Sequence, residues 1–135
     1  MQTCKSLSDP CGRKKFAIIT SVCVAVIIGY AKVKCTKSVS KSQNLDPLLK
    51  EIGIGDLTGW SLTHVAFYVL LGCMFPQDFK LLMLIGIIWE IIEHYVLNKI
   101  GWTKADCLDD VWWYGRVSDI FMNAIGFWLG YFIST

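Results

Sequence analysis

Apolar residues gather into four runs along the chain, each close to the length at which a helix crosses a membrane, with polar residues at the breaks. A spanning helix takes about 20 mainly apolar residues, within a range near 17 to 25. The first run is Phe16–Ala31, flanked by Arg13, Lys14 and Lys15 before it and by Lys32 and Lys34 after it. The second runs from about Leu57 to Phe75, the third from Leu81 to Leu97 and the fourth from Val117 to Ser134. Pro76-Gln77-Asp78 leaves room only for a tight turn, which predicts an antiparallel hairpin of runs two and three. Within the polar stretch Lys32–Asp56, Asp46 and Pro47 supply an N-cap and a first helical residue. They predict a short apolar helix lying along the membrane interface.

The predicted fold class is therefore all-α, a multi-pass transmembrane bundle of about four helices. Residues 1–56 would hold the first helix and a polar, interfacial loop, and 57–135 a three-helix core. A basic start, an apolar run and the small residues Gly29 and Ala31 also describe a cleavable signal peptide. Run one is at the long end for such a segment, whose apolar part is about 7–15 residues.

Composition agrees with a membrane setting. Of 135 residues, 54% are hydrophobic and 18% charged, with mean hydropathy +0.48, whereas charged residues make up about a quarter of a typical soluble domain. A net charge of +2, with Lys and Arg at the edges of apolar runs, gives no nucleic-acid partner; membrane lipid is the expected one. Four Lys/Arg precede run one and five follow it before run two. Close to the helix the two sides tie, so the positive-inside rule leaves orientation open. The six cysteines, Cys4, Cys11, Cys23, Cys35, Cys73 and Cys107, form no CxxC pair and no zinc-like spacing. Cys23 and Cys73 read as small packing residues. Cys35 and Cys107 would share one face, where a disulfide requires an oxidising compartment.

The chemistry lies in the depth of the polar residues. In up-down order, the ends of the helices bring His64, Glu90, Glu93, Asp119 and Asn123 to one level, roughly 3–11 Å into one leaflet at 1.5 Å per residue. Glu90 and Glu93 share a helix face, as do Asp119 and Asn123. An unpaired carboxylate in a membrane costs about 2.5–3.5 kcal/mol even on lenient scales, and neighbouring carboxylates repel unless neutralised. A divalent cation held by Glu90, Glu93, Asp119 and the Asn123 carbonyl, with Ca²⁺, Mg²⁺ or Mn²⁺ as candidates, would remove both costs. His64 would then stand beside it as a general base. The bland readings are specific too. Asp119 falls in the first turn of its helix, where the macrodipole alone favours a carboxylate. A buried histidine bonded to a neighbouring carbonyl would look the same as a catalytic one, and His94 points off the shared face. Gly126 and Gly130 form a small-xxx-small pattern that admits a close helix, within the chain or in a homo- or hetero-oligomer. Trp60, Trp102, Trp112, Trp113, Tyr114 and Tyr131 fall where an aromatic belt would, although Trp112 and Trp113 also suit a lipid head-group. Arg116 is placed to snorkel or to meet a phosphate. No GxSxG, HExxH or P-loop is present.

Taken as a set, these residues resemble two families. His64-Val-Ala-Phe67, Glu90, and Gly115-Arg116-Val-Ser118-Asp119 with Asn123, Gly126 and Gly130 resemble the VanZ-like membrane proteins, without the Asp-Lys usual before the histidine. Trp89-Glu90-Ile-Ile-Glu93, Trp112-Trp113, Asp119, Asn123 and Trp128-Leu129-Gly130 resemble the core of base-exchange phosphatidylserine synthases, over about the last half of the chain. Here Tyr114 follows the Trp pair where that family has an acidic residue. The second resemblance implies calcium at Glu90, Glu93 and Asp119 and a head-group exchange assisted by His64, with Asn123, Arg116, Trp112 and Trp113 toward the substrate. The first implies a non-enzymatic role in lipid or antibiotic binding, or a structural one. A proton or ion pathway would need polar residues in both leaflets and ranks last.

Overall fold

In the computed structural model, residues 4–38, 48, 57–97 and 116–134 are described, and their regular elements are all helical. Helix α1 spans Pro10–Ser38, α2 Gly59–Met74, α3 Phe79–Ile92 and α4 Val117–Ser134. Helix α3 runs without a break into a π-helical turn, Glu93–Leu97. The all-α expectation therefore holds, and run four coincides with α4 residue for residue.

The first helix is longer than its apolar run at both ends. At the start, the Asp9 carbonyl accepts the Arg13 amide at 3.0 Å, leaving Pro10 at the first helical position, where its missing N–H costs nothing. At the other end the helix continues through Ser38 into the stretch read as loop, since Lys, Thr and Ser do not break a helix already propagating. The expected interfacial helix after Pro47 lies outside the described residues, as do Trp102, Trp112, Trp113 and Tyr114. The turn between α2 and α3 is as tight as expected: the Asp78 amide donates to the Phe75 carbonyl at 3.1 Å.

The helices alternate in direction, and ring contacts fix the register of α1 on α2. Phe16 near the start of α1 meets Phe75 just past the end of α2, with ring centroids 6.2 Å apart. Tyr30 meets Trp60, at the beginning of α2, at 5.9 Å. Helices α2 and α4 share the closest packing, and glycine is the reason. A Cβ on Gly130 would run into the Val69 carbonyl, one on Gly126 would sit 2.5 Å from the Val65 carbonyl oxygen, and one on Gly72 would meet the Phe127 carbonyl. The Gly126/Gly130 face offered by the sequence to a partner is thus taken by α2 of the same chain. The Cys73 thiol reaches across the same seam to the Gly130 carbonyl at 3.2 Å.

The buried set is mixed. Leu7, Tyr68, Leu71, Phe75, Leu82 and Phe127 form an apolar core. Thr58, Ser61, Glu90, Glu93, Asp119 and Asn123 are buried beside it, while many other large apolar side chains face outward. Ile18, Val22 and Val26 line one stripe of α1 with 65%, 56% and 64% of their surface exposed. Leu84, Ile88 and Ile91 on α3, and Phe121, Ile125 and Phe132 on α4, do the same. Among the described residues, one helix, Val117–Ser134, is long and apolar enough to cross a membrane by length and composition; α2 is apolar but shorter.

At the end of the bundle where α2 meets α3, residues 4–9 form a docked hook. Cys4 and Cys11 are joined by a disulfide, a pairing that six intervening positions do not single out among six cysteines. The Asp78 carboxylate makes no bond to its own helix start. It accepts instead the Leu7 amide at 2.7 Å and the Ser6 hydroxyl at 3.3 Å. Leu7 is buried in the core with Leu71, Phe75 and Phe127. Cys23 and Cys73 are free and half-buried, as packing residues would be. The Cys35–Cys107 pairing lies outside the described side chains.

Candidate metal centre

The polar residues meet at the opposite end of the bundle, where α2 and α4 begin and α3 ends. The helix starting at Gly59 puts Ser61 and His64 on the side facing α4, three positions apart and so nearly in line. Helix α4 answers with Asp119 and Asn123, four apart. Ser61 Oγ donates to Asp119 Oδ1 at 2.6 Å and accepts the Thr58 amide at 3.4 Å. Its hydroxyl thereby ties the start of α2 to the first turn of α4. His64 Nδ1 lies 3.0 Å from Asn123 Oδ1, which makes Nδ1–H the donor, since an amide oxygen only accepts.

Helix α3 contributes Glu90. One carboxylate oxygen, Oε2, accepts the Arg116 backbone amide at 3.0 Å, an N–H left free where α4 is about to begin. The other, Oε1, is 3.6 Å from His64 Nδ1, beyond a hydrogen bond, and has no hydrogen-bond partner although the residue is only 5% exposed. Close approach of α3 depends on Gly86. A Cβ there would collide with the Tyr68 hydroxyl and press on the Asn123 amide at 3.1 Å. That hydroxyl is anchored on the Leu82 carbonyl at 3.0 Å.

His64, Glu90 and Asp119 can each offer one ligand atom such that all three atoms lie within 4.8 Å of one another. Two carboxylates and one imidazole, with one carboxylate oxygen unpartnered in a buried site, form a group able to hold a metal ion. Atoms bound to one cation at about 2.0–2.6 Å stand a little closer together than this, so a small inward movement would bring three ligands onto one ion, with the remaining positions left for other donors. The set differs from the expected one in two ways. Glu93 is buried but lies outside the group: the chain loosens into the π-turn at that residue, and the Trp89 side chain, four positions back, hydrogen-bonds it. His64, expected beside the cation as a base, is instead within ligand reach. Asn123 Oδ1, expected to face the cation, contacts His64 Nδ1 and so orients that ring.

The remaining assignments divide similarly. Arg116 lies at the site and contributes its backbone amide to Glu90. It also lines a shallow groove between α3 and α4 with Glu90, His94, Tyr95 and the apolar Ile87, Ile91, Val117 and Ile120. His94 is exposed against Tyr95, ring centroids 4.7 Å apart, off the shared face as expected. Ser61 was missed by sequence reasoning; the signal was a serine three residues before His64 on the same face. Comparison with known proteins gives no matching family model, no matching curated protein and no matching solved structure.

Proposed function

We propose that this chain is a multi-pass integral membrane protein that holds a divalent cation at His64, Glu90 and Asp119 and works on phospholipid head-groups. The observation that carries the reading is the burial of three carboxylates, an amide and a serine beneath a surface rich in exposed large apolar side chains, with Glu90 Oε1 lacking a hydrogen-bond partner at the centre. Water would oppose that distribution, whereas a bilayer favours it. The lipid-exposed α3–α4 groove, with Arg116 and Glu90 on its wall, is suited to a lipid whose phosphate sits at the level of the cation. An imidazole in the ligand set moves the preference from Ca²⁺ toward first-row transition ions, among which Mn²⁺ is the one suited to the two carboxylates.

The cation would neutralise the phosphodiester. In a head-group exchange, an incoming hydroxyl loses its proton and its oxygen bonds phosphorus; the bond to the original head-group alcohol breaks, and that alcohol takes up a proton. The resemblance to base-exchange synthases supports this reaction class. The test is Mn²⁺ binding and cation-dependent exchange of labelled serine, ethanolamine or choline in liposomes, with wild type and Glu90→Gln side by side. Wild type is expected to bind and exchange and the variant to lose both. Equal Mn²⁺ affinity in a folded Glu90→Gln protein would sink the site assignment.

The second reading keeps the VanZ-like scaffold without catalysis, as a lipid- or antibiotic-binding or structural component. It is favoured by how far the cluster satisfies itself through Ser61–Asp119, His64–Asn123 and Arg116–Glu90. Metal binding with no exchange under any cation would select it.

A further inference from the structure

We propose that the chain is inserted with its Cys4–Cys11 hook on the oxidising face of the membrane and the His64–Glu90–Asp119 group toward the reducing face, from which cation and water-soluble co-substrate arrive. This rests on the membrane reading above but on different observations from those that carry the site. Disulfides persist in oxidising compartments and are rare where glutathione and thioredoxin keep thiols reduced. The Cys4–Cys11 bridge belongs to a docked element: Leu7 is buried in the core, Asp78 holds the Leu7 amide at 2.7 Å, and Arg13 holds the Ser8 carbonyl at 2.9 Å. Gly12 lies so close to the Ser6 carbonyl that a Cβ would collide with it, so the hook packs directly on the start of α1.

The hook and the site sit at opposite ends. Asp78 follows the end of α2, while Ser61 and His64 lie in its first turns, and α2 from Ser61 to Met74 rises about 20 Å. A bridge between the ends of so short a segment cannot straddle a bilayer, so it marks the whole α2–α3 turn as oxidising-side.

Charge over the entire chain points the same way. Beside the first helix the basic residues tie. Of the 13 Lys and Arg in the chain, however, Lys5, Arg13, Lys14, Lys15 and Lys80 fall at the hook end, and the other eight fall at or between the helix ends that carry the site. Short basic segments stay on the cytoplasmic, reducing side. Redox chemistry and charge bias therefore give one orientation independently.

The test uses the full chain in sealed membranes, with a membrane-impermeant phosphine as reductant and an impermeant polyethylene-glycol maleimide as label. With the oxidising face outward, reductant should add two labels per chain, and the Cys4→Ser/Cys11→Ser double variant should add none. With the reducing face outward, no label should depend on reductant until detergent is added. Two labels at the oxidising face without reductant would overturn the proposal, as would reductant-dependent labels, absent from the double variant, gained from the reducing face. Mn²⁺ binding by the purified protein is read separately. Binding with reversed labelling overturns the orientation alone, and expected labelling without binding overturns the site alone. Release of the chain from membranes by alkaline carbonate would overturn the membrane reading and this orientation with it.

Discussion

Ser61 shows how a small residue with no chemistry of its own can govern a site. It is fully buried, and its hydroxyl is the 2.6 Å donor to Asp119. Ser61→Ala leaves a good helix former in place but strips Asp119 of that donor. A buried hydrogen bond to a charged group is worth about 1.5–3 kcal/mol, so thermal unfolding in detergent should show a loss of that order. Mn²⁺ affinity should fall as well, because Asp119 is no longer oriented; unchanged affinity would show that Asp119 needs no support. His64→Gln separates ligand from base: a ligand role predicts weakened Mn²⁺ binding, a base role predicts binding retained with exchange lost. His64, Glu90, Asp119 and Asn123 were legible in the sequence because each interrupts an apolar run at a common depth. Ser61 was not, since a serine near a helix start draws no notice. That Glu93 is buried but outside the three-residue group was not legible, because a three-residue spacing says nothing of where a helix loosens into a π-turn.

The same division holds for elements. Hydropathy located all four helices, and α4 to the residue, because each coincides with a long apolar run bounded by polar residues. It could not assign the partner of Gly126 and Gly130, since a small-residue stripe is compatible with any close helix. The contact with α2 makes opposite predictions for two glycines in similar helical settings. Gly130→Ala puts a methyl group into the Val69 carbonyl, and prying α2 from α4 should cost about 1–3 kcal/mol, seen as a lower unfolding temperature. Gly29→Ala meets nothing within 4 Å and gains helix propensity, about 0.8–1.0 kcal/mol, so it should be neutral or stabilising. A destabilised Gly29→Ala would mean that this face of α1 packs against a second molecule.

For the whole molecule, the distribution of surface matters more than any single contact. The α1 stripe of Ile18, Val22 and Val26, together with the outward faces of α3 and α4, leaves an extensive apolar surface outside a core that includes buried carboxylates. The chain is accordingly expected to resist alkaline carbonate extraction and to require detergent for release. Recovery in the soluble fraction would contradict both functional readings. Asp78→Ala should free the hook without unfolding the bundle, read as faster amide exchange at Leu7 with the α2–α4 seam unchanged. The hook was not legible beforehand, because Asp78 reads only as part of a tight turn and its partner is 71 residues away.

That separation also sets an order of assembly. The bridge between Cys4 and Cys11 closes a short local loop, which the segment can do as soon as it reaches the oxidising face, whereas its seat at Asp78 is synthesised only after two further helices. Local contacts form ahead of distant ones because loop closure costs less entropy. The hook is thus a part finished early and fitted late. Until the hairpin arrives, Leu7 has no core to enter, and a bulky tag fused beside Cys4 would slow the final seating step while leaving helix insertion untouched.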